Sequence, residues 1–241
     1  MIINSKQNPK FKLINKLKQK KYREKSSSFL IESRKLVGEA ISSKADIEFI
    51  ILKEGCDFES SLPSLYFEES LFNKISNLTS PDGVAALVRK KPPKDLSSPR
   101  VLLLDKINDP GNMGTIIRSA EAFGFFDIIL SPDTVDIYNT KSLRASMGSV
   151  FRENIVNMTY DEIRELKASY TILASDMAGL DINQYNIGKD NLILAIGNEA
   201  NGLSDEVRSM SDTFIKIPMR GEIESLNAAI AASIMMNRLG L

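Results

Sequence analysis

In the second half of the sequence, short apolar segments alternate with patterns typical of helices. The segments 101–105 and 191–196 are almost continuously apolar, as is typical of strands buried on both faces of a parallel sheet. An α/β fold is therefore predicted for this half. Ligands of open α/β sheets bind at the carboxyl ends of the strands, so functional residues are expected in the loops that follow them.

The first 90 residues predict a smaller α/β unit. Strands are expected at 29–33, 47–52 and 83–89, and a helix at 34–42. The segment 90–99 contains three prolines and no hydrophobic periodicity, as is typical of a linker. We therefore expect a domain at residues 1–91, a linker at 92–99 and a second domain at 100–241.

Cysteine and histidine usage excludes several kinds of chemistry. Cys56 is the single cysteine, so internal disulfides and multi-cysteine metal sites are excluded. The chain has no histidine, which excludes Ser-His-Asp and Cys-His catalysis and argues against a catalytic zinc. No metal site is expected. No secretory signal and no apolar run of the roughly 20 residues that a membrane helix needs are found, so a cytoplasmic protein without membrane contact is expected.

The first 25 residues carry an excess of positive charge. They hold nine Lys and Arg residues against Glu24, a net charge of +8 in a chain whose total is zero. One amphipathic helix is predicted over residues 8–25, with Phe11, Ile14 and Leu17 facing inward. Exposed lysines usually form a solvated surface, but here few acids balance them, which favours contacts with nucleic-acid phosphates. The candidate residues are Lys6, Lys10, Lys12, Lys16, Lys20 and Arg23.

The loop after the strand at 101–105 reads NDPGNMGTIIRSA. Asp-Pro-Gly-Asn predicts a turn, and a helix is predicted from Met113 to about Gly124. Asn112 lies at the start of this helix, and Arg118 lies between neighbours predicted to be buried. Two interpretations remain open. Asn112 caps the helix and Arg118 forms a salt bridge, because a buried charge needs a partner, or both residues serve a functional site.

A second polar loop follows the strand at 191–196. Gly197 and Gly202 lie five residues apart with Glu199 between them, which predicts a tight turn at the carboxyl end of the strand. The pattern is neither the dinucleotide fingerprint nor the P-loop, so it supports neither NAD nor ATP.

The third loop joins a strand at 214–217 to an alanine-rich helix. Pro218 ends the strand, and Ser225 is the predicted N-cap of the helix. Leu226, Ile230, Ile234 and the alanines at 228, 229, 231 and 232 are predicted to form its buried side. Asn227, in the first turn, is either a local capping aid or a placed hydrogen-bond donor and acceptor.

Taken together, the three loops resemble a known family. The patterns N-x-G-x-x-x-R at 112–118, G-N-E-x-x-G at 197–202 and I-P-M-x-G-x-x-x-S-L-N at 217–227 are similar to those of the SpoU (TrmH-like) family of RNA ribose 2′-O-methyltransferases. The S-x-x-N-P-x-x-K opening and the run FLIESRKLVGEAI resemble that family's substrate-binding domain. The resemblance covers nearly the whole chain.

This resemblance implies a SPOUT fold, with a parallel sheet, a C-terminal trefoil knot and a smaller α/β RNA-binding domain before it. It also implies a homodimer and S-adenosylmethionine as cofactor. Cofactor contacts carry over to Gly197, Glu199, Gly202, Ile217, Met219 and Leu226. The implied catalytic cluster is Asn112, Arg118, Glu199, Ser225 and Asn227.

The implied activity is methyl transfer from S-adenosylmethionine to a ribose 2′-hydroxyl of RNA. Ribosomal RNA is the expected substrate because the basic N-terminal domain resembles that of rRNA-acting members, and guanosine is the expected nucleoside. Two alternatives stay open, a tRNA substrate and an RNA-binding protein of the same fold without catalysis. Arg118 is expected to be essential, either as the base or, since arginine side chains remain charged in proteins, as a positioning and electrostatic group.

Overall fold

The computed structural model describes residues 2–186, 188, 191–223 and 225–240, which form two compact units. The first unit comprises Met1–Pro92 and Tyr138–Phe151, and the second comprises Pro93–Ile137 and Arg152–Leu241. The domain boundaries at 91 and 100 stay a prediction. Within the described residues, no helix combines the length and the apolar character needed to cross a membrane.

The first unit contains five strands. They are β1 (Ile2–Ile3), β2 (Ser28–Glu32), β3 (Ile47–Lys53), β4 (Ser64–Phe67) and β5 (Val84–Arg89). Its helices are α1 (Pro9–Lys16), α2 (Lys20–Ser26), α3 (Arg34–Ser42) and α4 (Glu69–Ile75), together with α6 (Thr140–Ser146) and a 3-10 turn at Ser149–Phe151.

The sheet of the first unit is mixed. Its order is β1-β4-β3-β5-β2, with β4 parallel to both β1 and β3, and β5 antiparallel to both β3 and β2. Phe67, Phe72 and Ile14 are fully buried in the core on one side of it. The strands and the helix predicted in this region are confirmed.

The predicted single helix over residues 8–25 is wrong, because the chain breaks between α1 and α2. The N–H of Leu17 closes α1 on the carbonyl of Ile14, and Gln19 is extended before α2 begins. Arg23 stabilises the break: its Nη1 donates to the carbonyls of Leu17 at 2.6 Å and Lys18 at 2.9 Å. The inward positions of Phe11, Ile14 and Leu17 are confirmed.

The second unit is built on a fully parallel sheet. Its strands are β6 (Arg100–Leu104), β7 (Asp127–Leu130), β8 (Asn154–Asn157), β9 (Thr171–Asp181), β10 (Leu192–Ile196) and β11 (Thr213–Lys216). The order is β11-β9-β10-β6-β7-β8. The helices are α5 (Pro110–Ala122), α7 (Tyr160–Glu165), α8 (Asp205–Met210) and α9 (Ala228–Leu239), with a 3-10 turn at Leu166–Ala168.

All residues of β6 and β10 are buried, which confirms the prediction of central strands covered on both faces. The chain before β6 is fixed to this sheet, because the N–H groups of Ser97 and Ser98 donate to the buried Asp127 carboxylate at 2.8 and 2.6 Å. Part of the predicted linker therefore has a defined conformation. The trefoil knot stays a prediction.

Candidate active site

The loops after β6 and β10 are held together at the carboxyl edge of the parallel sheet. The N–H of Asp105 donates to the carbonyl of Ile196, so the two strands pair up to their last residues. The buried Asp105 carboxylate then accepts hydrogen bonds from Ser204 N at 2.6 Å and from the Tyr160 hydroxyl at 3.1 Å. This edge of the sheet is therefore a fixed platform for polar loops.

Helix α5 begins three residues earlier than predicted, which changes the role of Asn112. Asp109 is the N-cap, since its side chain accepts from Asn112 N at 2.8 Å, and Pro110 occupies the first turn. The side chain of Asn112 therefore has no capping role. Its Nδ2 instead donates to Glu199 Oε1 at 2.5 Å.

Asn198 shapes the loop that carries Glu199. Its Nδ2 donates to the Lys106 carbonyl at 2.9 Å, and its Oδ1 accepts from Ala200 N and Asn201 N at 2.9 and 3.1 Å. Sequence reasoning did not select this residue. An Asn directly after a strand and a glycine is a known signal for a turn in which the side chain bonds to the backbone two residues on, and that signal could have found it.

Gly197 is required by close packing within this same loop. A Cβ at Gly197 would lie 2.4 Å from the carbonyl carbon of Gly202, so no larger residue fits without moving the backbone. The two loop ends are further joined by reciprocal backbone hydrogen bonds between Asn198 and Gly202 at 2.9 Å. The turn predicted between the two glycines is confirmed.

Helix α9 begins at Ala228, and Asn227, not the predicted Ser225, is its N-cap. Asn227 Oδ1 accepts from Ala229 N at 2.9 Å and from Ile230 N at 3.3 Å. The same side chain donates from Nδ2 to Asn112 Oδ1 at 3.0 Å. Asn227 is therefore both a cap and a placed donor, the two roles between which the sequence could not decide.

A chain of side-chain hydrogen bonds thus joins Glu199 in the loop after β10, Asn112 in the first turn of α5 and Asn227 at the N-cap of α9. The Glu199 carboxylate orients the amide of Asn112, which in turn accepts from Asn227. Such an arrangement holds polar groups in fixed directions at the surface of the second unit, where a polar substrate can reach them.

A cavity of about 390 Å³ opens beside Glu199 in the second unit. Its volume lies within the range of small-molecule sites. The lining includes Ser225 and all the predicted cofactor-contacting residues, namely Gly197, Glu199, Gly202, Ile217, Met219 and Leu226. Asn112, Arg118 and Asn227 are not part of this lining.

Asp176 and Arg208 also line the cavity, and sequence reasoning did not select either residue. Arg208 Nη1 lies 2.6 Å from Asp176 Oδ2. The pKa of Asp176 is lowered, chiefly by the hydrogen bond from Ala178 N and further by Arg208, although burial opposes the shift. The cavity wall therefore includes an ion pair of opposite charges, Asp176 and Arg208. Asp176 could have been selected from the sequence, because it directly follows the apolar part of β9. No sequence pattern marks Arg208 as a residue of the site.

Arg118 lies apart from this network. It is exposed on α5, whereas its neighbours Ile117 and Ala120 are buried as predicted, so the alternative in which Arg118 is a buried charge held by a salt bridge is wrong. Within the described part of the chain, no ion pair or hydrogen bond is formed by Arg118. A charged group that is ordered along a helix but has no internal partner is available to an external anion.

The apolar face predicted for α9 is partly wrong. Ala228, Ala229 and Ala232 are buried as predicted, but Ile230 and Ile234 remain 53% and 41% exposed. The three alanines let α9 pack closely, and α9 contacts α5 and β10. The isoleucines lie on the outer side of the helix.

In the first unit, the predicted RNA-contacting lysines 6, 10, 12, 16 and 20 are exposed. Arg23 is only 6% exposed and bonds to the end of α1, so a phosphate contact by Arg23 is contradicted. Lys74 and Lys18, which were not predicted, extend the basic surface, as Lys18 Nζ donates to the Lys74 carbonyl at 2.6 Å. The neighbouring Lys6 side chain lowers the pKa of Lys74.

Within the described residues, no group of three or more Cys, Asp or Glu side chains is arranged to hold a metal ion.

The family of this chain follows from its match to a family model: the SpoU rRNA methylase family model matches residues 99–237. The chain belongs to the SpoU rRNA methylase family. In this SpoU protein, residues 8–86 also match the MRM3-like substrate binding domain.

The similarity of this SpoU protein to its relatives covers nearly its whole length. It is 33% identical over 247 residues to the 23S rRNA (guanosine(2553)-2′-O)-methyltransferase RlmP of Bacillus subtilis, covering 98% of each chain. The structure resembles that of an AdoMet-bound rRNA methyltransferase from Sinorhizobium meliloti, with a TM-score of 0.87, 28% identity and coverage of 99% and 97%. The SpoU methyltransferase AviRb of Streptomyces viridochromogenes shares the fold, with a TM-score of 0.85, 24% identity and 97% coverage of both chains.

Proposed function

We propose that this protein transfers a methyl group from S-adenosylmethionine to a ribose 2′-hydroxyl of ribosomal RNA, and that the target is a guanosine of 23S rRNA. The observation that carries the proposal is the hydrogen-bonded chain Glu199–Asn112–Asn227 beside a cavity of about 390 Å³. The full-length similarity to a guanosine-directed relative supports the nucleoside.

The cavity fits S-adenosylmethionine in size and in chemistry. Ile217, Met219 and Leu226 offer apolar surface for a purine ring. Asp176 and Arg208 offer opposite charges to the ammonium and carboxylate groups of an amino acid. We assign Gly197, Glu199 and Gly202 to the same site, because the tight loop brings backbone groups to the cavity wall.

When bound, S-adenosylmethionine would supply an electrophilic methyl group. The 2′-oxygen would bond to the methyl carbon as the carbon–sulfur bond breaks and the sulfonium becomes a thioether, and the hydroxyl proton would pass to a substrate phosphate or to water. The chain's part is orientation and electrostatics. In our proposal, Asn112 and Asn227 fix the ribose, and Glu199 fixes the amide of Asn112. Ser225, which lines the cavity two residues before the N-cap Asn227, holds the start of the α9 loop. Holding the two reactants in line supplies much of the rate.

Arg118 has two proposed roles. Its guanidinium is exposed and forms no pair within the described residues, so it is available to a phosphate of the substrate. Because arginine side chains remain charged in proteins, a role in binding the phosphate and in stabilising the negative charge that develops on the 2′-oxygen is easier to support than deprotonation of the guanidinium itself. We therefore propose Arg118 as an essential positioning group for the RNA.

The N-terminal domain, residues 1–91, is proposed to bind RNA through its exposed lysines at positions 6, 10, 12, 16 and 20. The match to a substrate binding domain supports this assignment. A cytoplasmic location is proposed, since ribosomal RNA is found there.

We also propose a homodimer in which α9 contributes to the interface. Ile230 and Ile234 lie one turn apart and expose apolar surface that would otherwise face water. Light scattering of the wild type and of Ile230→Asp tests this: a dimeric mass should become monomeric, and an unchanged mass would remove α9 from the interface.

The central test is transfer of labelled methyl from S-adenosylmethionine to total RNA and to large ribosomal subunits from cells that lack the protein. Variants Arg118→Ala and Arg118→Lys are compared with Arg164→Ala, a control in which an exposed helical ion pair is lost. Label in 23S rRNA at a guanosine 2′-position is expected for the wild type and the control. Arg118→Ala should lose at least about 100-fold in rate, comparable to loss of one preorganised electrostatic group.

Label in tRNA alone would replace the substrate assignment. No label in any RNA, with RNA binding preserved, would support the non-catalytic alternative. Binding of S-adenosylmethionine should raise the melting temperature of the wild type by mass action, and the absence of any shift would contradict the cofactor assignment.

A further inference from the structure

The first unit contains a cavity of about 300 Å³ that belongs to no part of the site described above. It is formed by β2, the end of β5, the turn after α3 and the segment 138–151. Its volume is at the lower end of the range for small-molecule sites, enough for a single nucleotide. All its lining residues lie in the first unit, the one whose basic helices are proposed to contact RNA.

Three aromatic rings form one wall of this cavity. The centroids of Phe29 and Tyr138 lie 4.4 Å apart at an interplanar angle of 39°, and those of Phe29 and Phe151 lie 6.5 Å apart at 18°. Phe29 and Phe151 are buried, whereas Tyr138 is partly exposed. Tyr138 is therefore the ring that a molecule entering from solvent meets first.

The rim of the cavity is strongly basic. Lys44, Arg89, Lys90 and Lys91 line it, and Asp46 is the one carboxylate among its lining residues. That carboxylate lies 4.0 Å from Arg89 Nε, which is also 3.5 Å from Glu48. The cavity lining thus holds four basic side chains and one carboxylate, so its composition carries an excess of positive charge.

Lys90 forms a cation–π contact with Tyr138, because its Nζ lies 4.6 Å from the centroid of the ring. The face of Tyr138 that the ammonium covers is flat, so a nucleobase can stack on it. Stacking of a nucleobase on a tyrosine is generally stronger than a cation–π contact at an exposed site, so a base can displace the ammonium.

A second cavity of about 390 Å³ extends this surface toward the N-terminal helices. It shares Asp46, Arg89 and Lys90 with the first cavity and reaches Leu13 and Leu17 at α1. Leu13 lies between the exposed Lys12 and Lys16 on that helix. The shared residues place this second cavity next to the aromatic one, on the side of α1.

We infer that the aromatic cavity of the first unit binds one unstacked nucleotide of the RNA substrate, with its base on Tyr138 and its phosphates among Lys44, Lys90 and Lys91. A basic groove that follows the backbone, combined with aromatic rings for the bases, is the general arrangement for binding single-stranded nucleic acid. The inference rests on RNA being the substrate, and it places single-stranded RNA rather than a regular helix in this groove.

The test measures binding of a fluorescent single-stranded RNA of about 12 nucleotides, within the span of such grooves. A second oligomer of equal length carries abasic residues, which keep the phosphates and remove the bases. Tyr138→Leu and Tyr138→Phe are compared with Tyr66→Ala, a control at a tyrosine of the same unit that is 40% exposed and lines neither cavity. Circular dichroism and melting temperature check that each variant is folded.

Tyr138→Leu, which loses the ring, should bind the normal oligomer about 5-fold to 150-fold more weakly than the wild type. The affinity of Tyr138→Phe, which keeps the ring, should stay within about twofold of the wild-type affinity. The wild type should bind the abasic oligomer as weakly as Tyr138→Leu binds the normal one, with no further loss when both changes are combined. Lys44→Ala should reduce the slope of log affinity against log salt by about 0.7. The inference would be overturned if Tyr138→Leu bound the normal oligomer as tightly as the wild type does. It would also be overturned if the loss of affinity caused by Tyr138→Leu and the loss caused by removing the bases were additive when both changes are combined.

If Tyr138→Leu does not fold, crosslinking of the wild type to RNA still tests the inference. An oligomer containing 4-thiouridine should crosslink on irradiation to the peptide that contains Tyr138, and crosslinks confined to other peptides would contradict the inference. Methyl transfer by the wild type is measured in parallel on ribosomal subunits. Failure of crosslinking with intact methyl transfer removes this site alone, whereas absence of methyl transfer with crosslinking intact removes the proposed activity.

Discussion

Asn112 and Glu199 are 87 residues apart in the sequence, yet Asn112 Nδ2 donates to Glu199 Oε1 at 2.5 Å. The partner of Asn112 on its other side, Asn227, lies 115 residues away and donates to Oδ1 at 3.0 Å. Glu199 lies in the loop after β10, Asn112 in the first turn of α5 and Asn227 at the N-cap of α9. A change at one of these positions is therefore transmitted directly to the others through a single amide.

Asn227→Asp should separate the structural role of Asn227 from its role in the site. An aspartate still caps α9 through a side-chain oxygen, but it has no N–H to donate to Asn112. We expect the melting temperature to change little and the rate of methyl transfer to fall by about 10-fold to 100-fold, as one oriented hydrogen bond is lost.

Asn227→Ala is the matched comparison, since it removes both functions. It should lose a similar amount of activity and in addition about 1 kcal/mol of stability, the usual value of a helix cap. Full activity in Asn227→Asp would show that the bond to Asn112 has no part in the reaction.

Gly197→Ala should weaken binding of S-adenosylmethionine. The added Cβ would lie 2.4 Å from the carbonyl carbon of Gly202 and 2.5 Å from its oxygen, so the loop backbone must move. Because this loop lines the cavity, titration calorimetry should show an affinity loss of at least about tenfold.

Gly38→Ala is the control for that substitution. Gly38 lies in α3 of the first unit, and a Cβ there meets nothing within 4 Å. It should leave cofactor affinity unchanged and raise stability by about 0.5–1 kcal/mol through helix propensity. Unchanged affinity in Gly197→Ala would mean that the loop accommodates the methyl group without disturbing the cavity.

The stabilising effect of Asp212 should depend on pH in a defined direction. Burial raises its pKa, but hydrogen bonds from Ile172 N and Lys167 Nζ, at 2.9 and 2.7 Å, outweigh this and leave it lowered. A lowered pKa in the folded state means that the contribution is complete above the pKa of an unfolded Asp, about 3.9, and is lost as the pH falls through the folded value.

The difference in unfolding free energy between the wild type and Asp212→Asn should therefore be constant from pH 7 to pH 5 and shrink below about pH 4. Asp161→Asn, which removes an exposed helical ion pair with Arg164, should show almost no difference at any pH. A wild-type advantage over Asp212→Asn that grows on acidification would contradict the assigned direction of the pKa shift.

The sequence alone predicted the central strands and the loops that carry the site, for a simple physical reason. Strands such as β6 and β10 are buried on both faces and must be apolar throughout, so their ends are visible in the sequence. The loop residues Gly197, Glu199 and Gly202 could be located because they directly follow such an end.

Other features were predicted wrongly although their contacts are local. Ser225 and Asn227 are both residue types that favour an N-cap, so the sequence could not decide which of them caps α9, and α1 ends at Lys16 with Arg23 bonded to the carbonyls that follow. The exposure of Ile230 could not be predicted, since an alanine-rich helix can pack through several of its faces. Arg208 lies on α8 and reaches the cavity only through the fold.

Arg23 and Lys16 should show opposite effects although both belong to the same basic segment. Arg23 is buried, and Arg23→Ala leaves the carbonyls of Leu17 and Lys18 without their donor, so we expect a loss of about 1–3 kcal/mol in unfolding free energy. Lys16 is exposed, and Lys16→Ala should leave stability unchanged but reduce the salt dependence of RNA binding by a slope of about 0.7 to 0.9. Urea unfolding and salt titrations of the same two variants measure both quantities. A stable Arg23→Ala with a reduced salt slope would return Arg23 to the RNA-binding surface, because only an exposed guanidinium can release counterions from a phosphate.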